Sequence, residues 1–245
     1  MKAIKAVGWT MIGSGTLILL FLAYQLVFTN FITARAQDAA AAELEDRFET
    51  LRSALPEPER VEVVPPRTAT TEAPAEDEPE AAEEQVSLFA EPLPEVGQEF
   101  GRIVVPALDI EHIMFEGVDR DTLKNGPGHM PWTPLPGQPG NAVVSGHRTT
   151  YGAPFFDFDQ LAPGDEIVVE TLLGSHTYLV RESIIVEPTD VWVTDSRPGA
   201  WLTLTTCHPR FSASQRLVIF AELVEGPNHA YAQAAKDGLI DLVDA

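Results

Sequence analysis

The sequence predicts an all-β domain, a barrel or sandwich of antiparallel strands, over residues 96–226. Two observations carry that expectation. Runs rich in Val, Ile and Thr recur there, among them "FGRIVVPALDI", "HIMFEGV", "NAVVSGHR", "DEIVVETLLGSHTYLVRESIIVEP", "WLTLTTC" and "QRLVIFAELV", with Gly, Pro and Asp between them. No long amphipathic helical pattern interrupts them, so the strands must bury their apolar faces against one another. Short turns or helices are expected only at "DRDTLKNGPGHM" and "APFFDFDQL", and a hairpin turn at Gly174-Ser175. The proline- and glycine-rich "MPWTPLPGQPG" is expected as a loop.

Upstream of this domain the chain changes character twice. Lys2 and Lys5 precede an apolar run, and the next charge is Arg35. About 20 apolar residues in a helix cross a hydrocarbon core of about 30 Å, so the run is long enough for a transmembrane span. Trp9 and Tyr24 suit the interfaces, and the lysines place the N-terminus in the cytoplasm and the rest of the chain outside. "ARA" at 34–36 resembles a signal-peptidase site, but the apolar run exceeds a signal h-region, which favours an uncleaved anchor over 1–34.

Residues 35–95 are expected to hold a stalk helix and then a linker. Leu44, Phe48, Leu51 and Leu55 fall on one helical stripe, and Pro56 and Pro58 end it. From Pro56 to Glu95 the composition turns to Pro, Glu, Ala and Thr. Such a segment buries too little surface to offset its ordering entropy, so an extended, disordered, acidic spacer is expected. Residues 227–245 complete the chain as a C-terminal tail.

The 245 residues carry a formal net charge of -21, which argues against nucleic-acid binding. Cys207 is the single cysteine, so no internal disulfide and no Cys-x-x-Cys zinc pair exist. It is a buried small hydrophobe, an unpaired thiol, or a nucleophile. Along "WLTLTTC", Leu202 and Leu204 alternate with Thr203, Thr205 and Cys207. If the leucines face the core, the thiol points outward, which favours the nucleophile. His147 in "SGHR" and Arg216 in "SQRLVIFA" also stand at the ends of strand-like runs. Together the three suit acyl transfer: a thiolate attacks a carbonyl, an imidazole moves the proton, and a guanidinium meets the developing oxyanion. With six histidines in the chain, a Cys/His pair alone is weak evidence, and Arg216 strengthens it.

"TLTTC" followed by "RLVIFAEL", with "SGHR" about sixty residues upstream, resembles the sortases, and "GHRTTYGAPF" and "TCHPRFSASQR" look most like the class E sortases of actinobacteria. The resemblance runs from about Phe100 to Val224 and includes "PFFDFDQLAPGDEIVVE". It implies an eight-stranded β-barrel with short helices, preceded by the transmembrane helix and the linker. It also implies a membrane-anchored cysteine transpeptidase with Cys207 as nucleophile, His147 as general acid/base, and Arg216 as oxyanion and substrate ligand. Thr206 would help organise a substrate-binding groove. Tyr151 either contacts a Leu-Ala-x-Thr-Gly-type sorting signal there or is structural.

The partners implied are surface proteins with C-terminal sorting signals and an amine of a cell-wall precursor. No cofactor and no metal is expected. His208 should point away from Cys207, and His112, His129, His176 and His229 have no acidic or cysteine partner at ligand spacing, with His176 exposed in its hairpin. The acidic clusters do not form an EF-hand pattern. Two other readings remain. An L,D-transpeptidase would carry a Ser-His-Gly-Cys-type signature, from which "TTCHP" departs. A non-catalytic, membrane-tethered barrel that binds wall or surface partners would leave Cys207 inert.

Overall fold

The computed structural model describes residues 2–63 and 85–240. A long helix, α1 (Lys2–Arg52), comes first, then two short strands, β1 (Glu59–Glu62) and β2 (Gln85–Leu88). Eight further strands follow: β3 (Glu99–Val105), β4 (Ile110–Glu116), β5 (Gly128–His129), β6 (Gly140–Ser145), β7 (Glu166–Thr171), β8 (Gly174–Val186), β9 (Ala200–His208) and β10 (Gln215–Glu225). A short helix, α2 (His229–Lys236), comes last.

The eight strands close into a barrel in the order β10-β8-β7-β3-β4-β5-β6-β9. The expected all-β barrel is therefore present, although it is not wholly antiparallel. β4 pairs with β5, and β6 with β9, in parallel. Parallel neighbours need a crossover connection. The β7–β8 hairpin serves between β6 and β9, and the 3-10 turn at Thr122–Lys124 serves between β4 and β5. A second 3-10 turn, at Phe158–Gln160, falls inside the other segment expected to be helical.

Alternation along the strands fills the barrel. Ile103 and Val105, Ile167 and Val169, Tyr178 and Val180, Leu202 and Leu204, and Leu217, Ile219 and Leu223 share one buried core. Each fully buried aliphatic side chain of this kind contributes about 1.5–3 kcal/mol of transfer free energy.

The stalk stripe has a partner on the barrel. Ala40, Leu44 and Phe48 are buried against Ile113, Phe115 and Leu172, with Leu51 and Leu55 beside them. Gln37 clamps the contact. Its Nε2 donates to the carbonyls of Ile113 (3.0 Å) and Asn125 (2.8 Å), and its Oε1 accepts from the Ile113 amide (2.7 Å). Farther along, Arg102 pairs with Glu45 at 3.0 Å and Arg47 with Glu99 at 3.6 Å. The stretch Lys5–Leu22 of the same helix, with mean hydropathy 1.5, is long and apolar enough to cross a membrane.

Several expectations need correction. The 56–95 segment is structured at both ends: β1 pairs antiparallel with β2, and Val61, Val63, Val86 and Leu88 pack against α2 and the residues after it. The short β patterns "VEVV" and "QVSL" are outweighed when composition is averaged over the whole window. Residues 64–84, with most of the acidic, proline-rich run, lie outside those described. The C-terminal tail likewise contributes α2, whose Tyr231 is buried.

The β7–β8 turn is Leu172-Leu173, since Thr171 pairs with Gly174. It lies two residues before the expected Gly174-Ser175, and Leu172 is drawn into the contact with α1. His176, expected to be exposed, is buried, and shares a hydrogen bond between Nε2 and Thr171 Oγ1 at 3.0 Å. Gly137, at φ +87°, closes over its ring; a Cβ there would stand 2.1 Å from the imidazole. Burial pushes the His176 pKa down to about 4. His129 does have an acidic partner, Glu116, at 2.7 Å. The two are thirteen residues apart and meet because β4 and β5 pair Glu116 with His129.

Candidate active site

Three neighbouring strands bring the expected catalytic residues to one end of the barrel. β6 and β9 run parallel with Ser145 opposite Thr205. Beyond that pair, the Gly146 amide donates to the Thr205 carbonyl (3.1 Å) and Thr206 Oγ1 donates to the Gly146 carbonyl (2.7 Å). Continuing the register by two residues sets His147 level with Cys207. On the other side of β9, Arg216 of β10 is the antiparallel partner of Cys207. Directly opposed residues point to the same face of a sheet. Leu202 and Leu204 are fully buried and Cys207 is partly exposed, as the alternation required.

The surroundings differ for each. His147 has its Nε2 buried without a hydrogen-bond partner, and its ring lies 5.0 Å from that of Tyr151. Burial holds the His147 pKa below the ordinary histidine value of 6.5, so the neutral imidazole is favoured. Tyr151 sits in a left-handed turn at φ 52°. Thr206 is buried, and its hydroxyl fastens the ends of β6 and β9 rather than facing a groove. Arg216 Nη1 donates to the carbonyls of Ala213 (3.0 Å) and Gln215 (2.9 Å), which folds the guanidinium over its own turn. His208 pairs with Gln215, one step from the Cys207–Arg216 pair, and alternation sends it to the opposite face.

Sequence reasoning missed Arg148. It is buried at 2 % exposure, directly after His147. Its Nε donates to the Phe156 carbonyl (2.7 Å), its Nη1 to the carbonyl of Cys207 (3.3 Å), and its Nη2 lies 2.9 Å from Asp159 as an ion pair without hydrogen-bond alignment. Asp159 also pairs with Arg210 (2.8 Å), which reaches Asp157 as well (2.9 Å). Partial burial alone would raise the Asp159 pKa. The Arg210 hydrogen bond and the charges of Arg148 and Arg210 hold it below the usual carboxylate range. A buried arginine requires such partners. The acidic pair in "FFDFDQL" was the available signal, but only the fold brings it to Arg148. Gly146 completes the loop, since a Cβ there would stand 2.6 Å from the Phe155 ring.

A cavity of about 530 Å³ lies elsewhere. It is lined by Glu91, Leu93, Trp132, Gly140 and Asn141, at the opposite end of β6 from His147. Glu91 beside it is raised to about pKa 7 by burial, against hydrogen bonds from Thr171 and the Leu172 and Leu173 backbone. Among the described residues, no group of three His, Cys, Asp or Glu side chains is arranged to hold a metal ion.

A sortase-domain family model matches residues 103–224. Sortase SrtE1 of Streptomyces coelicolor is 30% identical over 91% of this chain and 58% of its own length. Sortase D of Bacillus subtilis is 34% identical over 54% of this chain and 67% of its own. The solved structure of sortase E from Streptomyces avermitilis is 37% identical, with a TM-score of 0.51, over 56% of this chain and 95% of that one. The chain belongs to the sortase family. Its affinity is with the class E sortases of actinobacteria. This sortase spans 58% of the length of SrtE1. The matched part begins within β3, so α1, β1 and β2 lie outside it, while Ile113, Phe115 and Leu172, on which α1 packs, lie inside.

Proposed function

We propose that this sortase is a single-pass membrane protein, with its barrel outside the cell. It cleaves a Leu-Ala-x-Thr-Gly-type sorting signal between Thr and Gly and transfers the acyl group to an amine of a cell-wall precursor. The observation that carries the reading is the register of β6, β9 and β10. Arg216 is the direct partner of Cys207, and β6 runs beside β9 to Ser145 and Thr205, two residues short of His147 and Cys207, which supports their meeting at one barrel end.

The neutral imidazole of His147 accepts the Cys207 thiol proton as Sγ attacks the threonine carbonyl carbon. Arg216 turns from its own carbonyls to hydrogen-bond the resulting oxyanion. Collapse breaks the C–N bond, His147 returns the proton to the leaving glycine amine, and a Cys207 thioester remains. The acceptor amine then attacks the thioester carbonyl. Its proton passes to His147, and the Cys207 thiol is regenerated as the new amide forms. Arg148, through the Cys207 carbonyl, and Thr206, through the Gly146 carbonyl, position the strand ends that carry the reacting groups.

The test uses the full chain in detergent micelles with a Leu-Ala-x-Thr-Gly peptide and an amine acceptor. Mass spectrometry should find an acyl adduct on Cys207 and an amine-exchanged peptide. Exchange that persists in Cys207→Ala would overturn the mechanism.

A further inference from the structure

The structure carries an inference about where the active site stands relative to the bilayer, and it rests on the reading of α1 as a membrane anchor. We infer that the catalytic end of the barrel sits on the lipid headgroup layer, with the β9–β10 turn and its Phe211 in contact with the lipid surface.

α1 is a single helix from Lys2 to Arg52. Its first contacts with the barrel come where the apolar run ends. Asn30 Oδ1 accepts from the Gly152 amide at 3.0 Å, and Thr33 Oγ1 donates to the Lys124 carbonyl at 2.8 Å. Gly152 belongs to the turn that holds Tyr151 beside His147. From there α1 leads away from the active site, past Ile113 at Gln37 to Glu99 at Arg47. At 1.5 Å per residue, Asn30 and Arg47 are about 26 Å apart along the axis.

The end of the barrel that reaches the membrane first is therefore the end with Cys207. A hydrocarbon span of about 20 residues beginning near Val7 finishes a few residues before Asn30, and a span ending at Leu22 finishes about 12 Å before it. Either limit puts the Gly152 loop within or just outside a headgroup layer about 5–8 Å thick.

The turn after Cys207 belongs to the same cap. Arg210 bonds to Asp157 and Asp159, and Phe211 meets Phe156 edge-on at 6.4 Å between ring centroids. Arg148 joins Phe156 to the Cys207 carbonyl. Phe211 is 82 % exposed, with a left-handed φ of 64° that bulky residues rarely adopt. A ring held outward in this way loses its solvation cost in a membrane interface. The local charge does not oppose approach to lipid, since Asp121 pairs with Lys124, Asp157 with Arg210, and Asp159 with both Arg210 and Arg148. Exposed apolar side chains also occur at the far end, at Leu93 and Trp132. The course of α1 decides between the two ends.

The test uses the full chain with Cys207→Ala, one new cysteine per variant, and an NBD fluorophore on each. Leu19→Cys reports the span, Phe211→Cys and Ser212→Cys report the turn, and Glu95→Cys reports the far end. Each is reconstituted in phosphatidylglycerol–phosphatidylethanolamine vesicles containing either a headgroup spin-labelled lipid or a mid-chain doxyl lipid. The expected result is quenching at 19 by the mid-chain lipid, and quenching at 211 and 212 by the headgroup lipid several-fold above that at 95. Quenching at 19, with 211 and 212 no more quenched than 95, overturns the inference and leaves the anchor standing. No quenching at 19 removes the anchor, and the inference falls with it.

Discussion

The residues proposed to react differ in what each loses on replacement. Cys207→Ala should abolish thioester formation, because no other cysteine exists to take its place. His147→Ala should lower turnover by about 10²–10⁴-fold, and Arg216→Ala by about 10²–10³-fold, measured as transpeptidation rates of purified variants. The pH profile follows from the environment of His147. Burial lowers its pKa from 6.5, so the active neutral ring is lost only on the acid side of that value. Plotted against pH, kcat/KM should hold constant down to about 6.5 and fall below it by protonation of one group. Arg148 is a positioning residue, and Arg148→Met should cost about 1.5–3 kcal/mol in urea unfolding by removing hydrogen bonds from a charged donor. It should also lower kcat more than it changes KM, since the Cys207 backbone loses its support.

Elements decide what holds those residues in place. The buried stripe of α1 predicts that Leu44→Ala costs about 2–5 kcal/mol in the full chain, read as a lower melting temperature of the barrel in detergent. An unchanged melting temperature would mean that the helix merely lies alongside Ile113, Phe115 and Leu172. Within the barrel, His176 titrates in the opposite sense to Glu91. The folded state holds His176 near pKa 4 while the unfolded chain protonates near 6.5. Its unfolded form thus binds more protons between those values, and stability is lost as pH falls from 6.5 toward 4. Glu91 is raised from 4.5 to about 7, so its contribution is fully present below 4.5 and is lost as pH rises toward 7. His176→Gln should flatten the acid limb of the urea midpoint, and Glu91→Gln the limb between 4.5 and 7.

For the whole molecule, orientation is the testable quantity. With the barrel outside, as proposed from Lys2 and Lys5 before the apolar run, protease added to wall-stripped cells should digest it. Protection would reverse the topology. β1 pairs with β2, and α1 docks on the barrel before residue 64. Deleting 64–84 should therefore leave the barrel's distance from the bilayer unchanged, as measured by energy transfer from a label at Glu95→Cys to a membrane dye.

Local pattern was enough for much of this. Period-two alternation in "WLTLTTC" and "QRLVIFAEL" is a property of neighbouring residues, and so are the apolar run near the N-terminus and the Leu44–Phe48–Leu51 stripe. From these an all-β domain, barrel or sandwich, the outward-facing thiol and the helix were expected, while the eight-stranded barrel was implied by the sortase resemblance. Tertiary structure decided what depends on residues far apart in the chain. The register of β6 against β9 brings Ser145, two residues before His147, opposite Thr205, two before Cys207, across sixty residues. The β4–β5 pairing supplies His129 with Glu116, and the barrel wall gives the stalk stripe its partner. Arg148 is the clearest case, because an arginine in a strand-end motif looks solvent-exposed until Asp159, eleven residues on, and the Cys207 carbonyl are brought to it. Hydrophobic period is written locally, whereas the partners that make a buried charge or a docked helix stable are chosen only when the chain closes.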